Sequence, residues 1–116
     1  MQLPTDSFLL RIFLGESDRH DGDPLYESIV LKAREAGLAG ATVLRGAMGF
    51  GASSRLHTSK ILRLSADLPL VIEIVDTEEK INAFLPIIDT MMKGGLVTVE
   101  KTHVIHYRGE ETPDNA

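Results

Sequence analysis

The sequence predicts an α+β domain of ferredoxin-like type, βαββαβ in order, with a four-stranded antiparallel sheet and two helices on one of its faces. Three observations lead there. Segments with strand and helix patterning follow one another as strand, helix, strand, strand, helix, strand, which is one unit used twice. Two right-handed βαβ halves of that kind close into a single sheet with both helices on the same side. The 116 residues suffice for one core without staples and are too few for two.

Phe8 to Leu14 reads as the first strand, apolar on both faces apart from Arg11. Gly15 to Gly22 is a polar turn. Asp23 is positioned to cap a helix with Pro24 at its first position, and Leu25, Ile29, Ala33 and Ala36 recur at helical spacing until Gly37 stops it. The second strand is expected from Ala41 to Met48, with Ile61 to Leu64 returning as extended chain. Leu70 to Val75 is rich in β-branched residues and reads as the third strand. Asp76 followed by Glu79 resembles a capping box with the aspartate as cap, opening a helix whose apolar face is Ile81, Phe84, Leu85, Ile88 and Met92. Pro86 lies inside that helix, where a missing N–H costs about 3 kcal/mol unless compensated, so a kink or local irregularity is expected. Lys93-Gly94-Gly95 ends it, and Leu96 to Tyr107 forms the last strand. Residues 8–108 are taken as the domain, with 1–7 and 109–116 as flexible tails.

The first and third strands belong at the centre of this sheet, and both of their faces are apolar. One side of the first strand carries Phe8, Leu10, Ile12 and Leu14, the other Leu9, Arg11 and Phe13; in the third, Leu70, Ile72 and Ile74 oppose Val71, Glu73 and Val75. Two helices cover one side only. The second side is therefore expected to be buried by self-association, with Arg11 and Glu73 pairing within the chain or across a subunit boundary.

Charge is distributed unevenly. Ala36 to Ala66 contains Arg45, Arg55, Lys60, Arg63 and His57 but no Asp or Glu, so a chain of net charge −5 divides into a segment of +4 and a remainder of −9. Solubility is served by interspersed charge, whereas this segregation reads as a local anion site; for Arg45, Arg55, Lys60 and Arg63 the plain alternative is a solvated loop face or salt bridges to acids elsewhere, including those of another subunit. The same segment holds Arg45-Gly46-Ala47-Met48-Gly49-Phe50-Gly51, whose glycines free backbone N–H groups to face a ligand. The order G-x-x-G-x-G is wrong for a dinucleotide fingerprint, and a bulge or tight turn is the plain alternative. A phosphate here would take N–H donors from Gly49 and Gly51 and charge from Arg55 or Lys60. Phe50 reads as a core plug or as a surface on which a base stacks.

The four histidines raise the question of metal. His103 and His106, three apart on the expected last strand, point to opposite faces and suit joint coordination poorly. His20 lies among Asp18, Asp21 and Asp23, a grouping that capping and solvation also account for, and His57 sits in the basic segment where its protonation would tune anion affinity. No metal site is assigned. Ser53, Ser54, Thr58 and Ser59 flank His57, but no spacing singles out a nucleophile with its base and orienting group, so the chain is read as not an enzyme. Cysteine is absent, which removes thiolate chemistry and disulfides and suits a reducing compartment. The start Met1 to Asp6 lacks the basic opening of a signal peptide and no run is long enough to span a bilayer, so a cytoplasmic protein is expected. Overall acidity argues against nucleic-acid binding.

Several of these pieces together resemble the DUF190 family. They are Phe13-Leu14-Gly15-Glu16 with His20 and Pro24-Leu25-Tyr26, the run Arg45 to Gly51, His57, the stretch Leu64 to Asp76, Glu79-Lys80-Ile81 and Gly95-Leu96-Val97-Thr98. The resemblance covers about Leu9 to Tyr107. This family is grouped with the PII-like signalling proteins, which implies the ferredoxin-like fold and a homotrimer with its sheets facing inward. It also implies a small anionic effector, a nucleotide among the candidates, held at clefts between subunits by the loop after the second strand and a loop before the last. Here those are the Gly49-to-Lys60 region and Met92 with Lys93, Gly94 and Gly95. The residues expected at the ligand are thus Arg45, Gly46, Gly49, Phe50, Gly51, Arg55, His57, Lys60, Lys93, Gly94 and Gly95. Effector binding would change the order of the Gly49-to-Lys60 loop and signal to a protein or transporter. The alternatives are a metal-binding trimer of the same fold, using His20, His57 or His106, and a small ferredoxin-like enzyme.

Overall fold

A computed structural model of the chain describes residues 6–51, 57–58 and 67–109. Strand β1 (Asp6–Gly15) is followed by a small hairpin of β2 (Arg19–His20) and β3 (Asp23–Pro24), then helix α1 (Leu25–Glu35). Strand β4 (Thr42–Arg45) leads into a second hairpin, β5 (Met48–Gly49) with β6 (His57–Thr58). Strand β7 (Pro69–Asp76), helix α2 (Glu78–Met91) and strand β8 (Leu96–His103) complete the chain. The main sheet has the order β4-β7-β1-β8, antiparallel throughout, with β1 and β7 at its centre. This is the ferredoxin-like arrangement expected from the sequence.

Residues alternate between the faces of a strand, and that alternation decides the core. Leu10, Ile12 and Leu14 of β1 and Leu70, Ile72 and Ile74 of β7 are buried under Leu25, Ile29 and Ala33 of α1 and Ile81, Phe84, Ile88 and Met91 of α2. Full burial of a Leu, Ile or Phe side chain contributes about 1.5–3 kcal/mol, so this cluster supplies the main driving force for folding.

Several local expectations are corrected. Thr77, not Asp76, caps α2: its Oγ1 accepts from the Lys80 N–H at 3.2 Å. Asp76 is fully buried instead, its carboxylate accepting from the N–H groups of Thr77 and Ala39, each at 2.7 Å. A buried carboxylate needs such donors, and the second ties the α1–β4 connection to the start of α2. Asp23 does not cap α1, and Pro24 stands at the cap position rather than at the first helical one, with no side-chain cap bond. Asp23 is paired with His20 across a turn in which Asp21 and Gly22 both have positive φ, and the Leu25 N–H donates to the Asp18 carbonyl at 2.8 Å. Helix α1 ends at Glu35, leaving Ala36 exposed, and in α2 the buried terminal methionine is Met91, Met92 being half-buried.

Helix α2 is continuous through Pro86. Pro86 and Asn82, whose carbonyl loses its intrahelical donor, are both exposed, where water is at hand to replace the missing N–H. Strand β4 stops at Arg45 rather than Met48, because Gly46 turns in to donate its N–H to the Pro69 carbonyl at 2.7 Å. Strand β8 stops at His103, and the chain beyond it crosses to the opposite edge of the sheet, where the Tyr107 hydroxyl donates to the Ala39 carbonyl at 3.1 Å. The expected return of Ile61 to Leu64 lies outside the described residues.

The turn from α2 into β8 depends on Gly95, whose φ is +100° and where a Cβ would stand 2.6 Å from the Phe13 carbonyl oxygen. We expect Gly95→Ala to destabilise by at least about 1–3 kcal/mol from backbone strain alone, seen as a lowered melting temperature. Asp76→Ala should cost about 1–3 kcal/mol for each donor it orphans, measured by urea unfolding.

Candidate functional site

The two loops singled out by the sequence leave the same end of the sheet. Arg45, at the end of β4, pairs with Leu70 at the start of β7; Leu70 pairs with Leu14 near the end of β1, and neighbouring Phe13 pairs with Leu96 at the start of β8. The glycine-bearing segment after β4 and Lys93-Gly94-Gly95 before β8 therefore emerge on opposite edges, three strand spacings or about 14 Å apart.

The first group is only partly a free cradle. Gly46 gives its N–H to Pro69, and a Cβ there would meet the Pro69 ring at 3.0 Å. Gly49 also packs on Pro69, where a Cβ would stand 3.2 Å from the ring, and it pairs with His57 in the β5–β6 hairpin. These two glycines serve close approach to Pro69 before anything else. Gly51 is exposed. Phe50 is 76% exposed, so it is not a core plug; it follows directly on β5, whose Met48 is another exposed apolar residue. Arg55 and Lys60 lie outside the described residues, and for His57 only the backbone position is defined.

Arg45 is not an unopposed cation. Its guanidinium donates to the carboxylate of Glu16, from the turn after β1. The acid-free segment thus receives a carboxylate from elsewhere in the chain, an arrangement invisible to a count along the sequence. On the other edge, Lys93, Gly94 and Gly95 are exposed and border an open groove with Asn82, Pro86, Asp89 and Val97.

The sheet face away from the helices carries the second apolar surface expected from the strand patterns. Leu44, Val71, Phe13 and Leu96 form one row across all four strands. In the next row Arg11 donates its Nε–H to Glu73 at 2.9 Å, and its Nη1 to Glu100 of β8 at 2.5 Å. The intrachain Arg11–Glu73 pair is thus present, with a second acid that sequence reading missed. Glu100 is on that face because it is paired with Leu9 in the β1–β8 register. Bonds to Glu73 and then Glu100 raise the Arg11 pKa above its usual value, so it carries its charge throughout any working pH range. At the far end of the same face, the chain from Val104 to Tyr107 passes over a groove floored by Leu9 and Val75.

The histidines are dispersed. His20 Nε2 is 3.4 Å from an Asp21 carboxylate oxygen, His103 Nδ1 is 3.8 Å from Asp6, and His106 Nδ1 is 3.1 Å from the Arg108 guanidinium. His106 lies beyond β8, so the argument that placed it opposite His103 on one strand does not apply. Among the described residues, no three His, Asp or Glu side chains come together as a metal-binding group. No described helix is long and apolar enough to cross a membrane.

Comparison with known proteins finds a match of residues 7–104 to the model of DUF190, described as an uncharacterized ACR. A UPF0166 protein of Aquifex aeolicus is 42% identical over 98 residues, 84% of this chain and 92% of that protein. A UPF0166 protein of Methanocaldococcus jannaschii is 38% identical over 103 residues, 88% of this chain and 93% of that one. Among solved structures, CPII, a nitrogen regulatory PII-like protein from Thiomonas intermedia K12 bound to ADP, AMP and bicarbonate, superposes with a TM-score of 0.59 at 19% identity, covering 85% of this chain and 88% of CPII. At that identity the likeness is one of fold.

Proposed function

Since the chain belongs to the DUF190 family and has the fold of a PII-like protein, we propose that it is a PII-like regulatory protein that binds a small anionic effector where subunits meet. The observation that carries the proposal is the position of its two cationic, glycine-bearing segments, one after β4 and one before β8, at one end of the sheet but on opposite edges. A ligand the size of a nucleotide phosphate chain does not bridge about 14 Å of sheet edge. A second copy laid alongside brings the β4 edge of one subunit to the β8 edge of the next, and the segments then face one another across a cleft. The effector class follows from charge, with ADP, AMP and bicarbonate as first candidates because CPII holds them on the same fold. Exposed Phe50 offers its ring to a base, and Arg55, Lys60 and Lys93 offer charge.

The assembly is proposed to be a homotrimer closed on the open sheet faces. Leu44, Val71, Phe13 and Leu96 make an apolar strip too continuous for a face meant for water. Regulation rather than turnover is the role supported by the likeness to a nitrogen regulatory protein, and the bound state would pass to a protein or transporter through the segment from Gly49 to Lys60. A cytoplasmic location accords with that role.

Titration of the purified protein with ADP, AMP and bicarbonate, followed by calorimetry, is expected to give saturable binding to at least one of them. Removing a charged donor by Lys93→Ala or Arg55→Ala should weaken it by about tenfold or more. Absence of binding by all three would overturn the effector assignment. Sedimentation is expected to show a trimer, and Phe13→Glu to shift it to monomer while far-ultraviolet circular dichroism stays unchanged; a wild-type monomer would overturn the assembly.

A further inference from the structure

We propose that Glu16 is a built-in competitor for the effector, occupying Arg45 with an internal carboxylate that an incoming phosphate has to displace. The inference rests on the anion-binding reading above and adds to it a device that sets affinity. Arg45 is the first cation of the acid-free segment, and its side chain is 59% exposed, whereas the Glu16 side chain opposite is only 16% exposed. One flank of the guanidinium is thus taken by the protein's own carboxylate and the other is open. A planar guanidinium that pairs with a carboxylate is equally suited to a phosphate, so the two anions compete for one group.

The pair is more than two long side chains meeting by chance on a surface. The turn that delivers Glu16 is fixed on all sides: the Gly15 N–H donates to Asp18 at 3.0 Å, the Ser17 N–H to Asp67 at 3.0 Å, and the Glu16 N–H to the Leu68 carbonyl at 2.8 Å. Arg45 is fixed from its own side by pairing with Leu70, and Gly46 beyond it by its bond to Pro69. Both partners are held by the beginning of β7 and the segment just before it, Glu16 through Leu68 and Arg45 through Leu70.

The turn also explains why displacement has consequences. A Cβ at Gly15 would stand 2.8 Å from an Asp67 carboxylate oxygen and 3.3 Å from one of Asp18, so these two acids crowd the residue next to Glu16. When an effector draws Arg45 away, Glu16 loses the cation it is paired with while its backbone stays tied to this turn through the Leu68 carbonyl. Effector charge at the base of the segment after β4 is thereby coupled to the turn between β1 and β2 and, through the Asp18 carbonyl that accepts from Leu25, to the start of α1.

The test is the dissociation constant for ADP, measured by calorimetry on the wild type, Glu16→Gln, Glu16→Asp and Arg45→Ala. Glu16→Gln keeps the shape of the side chain and removes its charge, and it is expected to tighten ADP binding by about fivefold, the scale of one partly exposed ion pair. Glu16→Asp, which keeps the charge and withdraws it by one methylene, should give a smaller gain, and Arg45→Ala should weaken binding. Melting curves establish that each variant is folded; should Glu16→Gln fail to fold, Glu16→Asp decides by the sign of its effect. If ADP binds and depends on Arg45 but Glu16→Gln leaves affinity unchanged or lowers it, the competitor role is overturned and the anion site stands. If ADP binds without regard to Arg45, the role is likewise overturned. If neither the wild type nor any variant binds ADP, both fall.

Discussion

The register of β1 between β7 and β8 is the constraint on which the rest of the molecule depends. Fixing Leu10 opposite Ile74 and Val99 sends every even-numbered residue of β1 from Phe8 to Leu14 toward the helices and every odd-numbered one from Leu9 to Phe13 to the open face. A slip by one residue would place Arg11 under α1 and α2 and expel Leu10 and Ile12, so the burial of the core and the composition of the open face are one choice. The same register aligns the starts of β7 and β8 with the ends of β4 and β1, bringing the segments after β1 and β4 and those before β7 and β8 to one end.

The architecture was legible because its signals are periodic. The two-sided hydrophobicity of Phe8 to Leu14 and Leu70 to Val75 announced central strands, and the spacing of Leu25, Ile29 and Ala33 and of Ile81, Phe84 and Ile88 gave the buried helix faces. What was misread depended on contacts distant in sequence. Asp76 looks like a cap when only Glu79 is considered, and becomes a buried clasp once Ala39, 37 residues away, is seen to need an acceptor. Strand β4 ends early because of Pro69, which no local pattern announces.

The candidate site was legible in its glycines and charges but not in its balance of forces. The alternative of a salt bridge to an acid elsewhere holds for Arg45, whose partner arrives through the turn after β1, 29 residues away, and is not identifiable from spacing. Glu100 escaped notice for the same reason: its partnership with Arg11 spans 89 residues and becomes visible only when β8 is laid against β1. Given the ferredoxin-like order, face parity on the edge strand would have flagged it, whereas nothing short of the folded turn would have flagged Glu16. Phe50 shows the opposite limit, since an aromatic between glycines has no local preference for core or surface, and only the fold shows it exposed.

The end of the sheet remote from the loops is built differently. There the backbone of Ala39 is gripped twice, its N–H by Asp76 on the helix side and its carbonyl by Tyr107 arriving across the other side. Ala39 acts as a rivet between the chain's two halves. A pull on the C-terminus would be delivered through Tyr107 to the beginning of β4 and on to the head of α2, before it peeled β8 from the sheet edge. Handles for force spectroscopy or fusion partners joined after Tyr107 would therefore strain this contact first, and the last strand once it gave way.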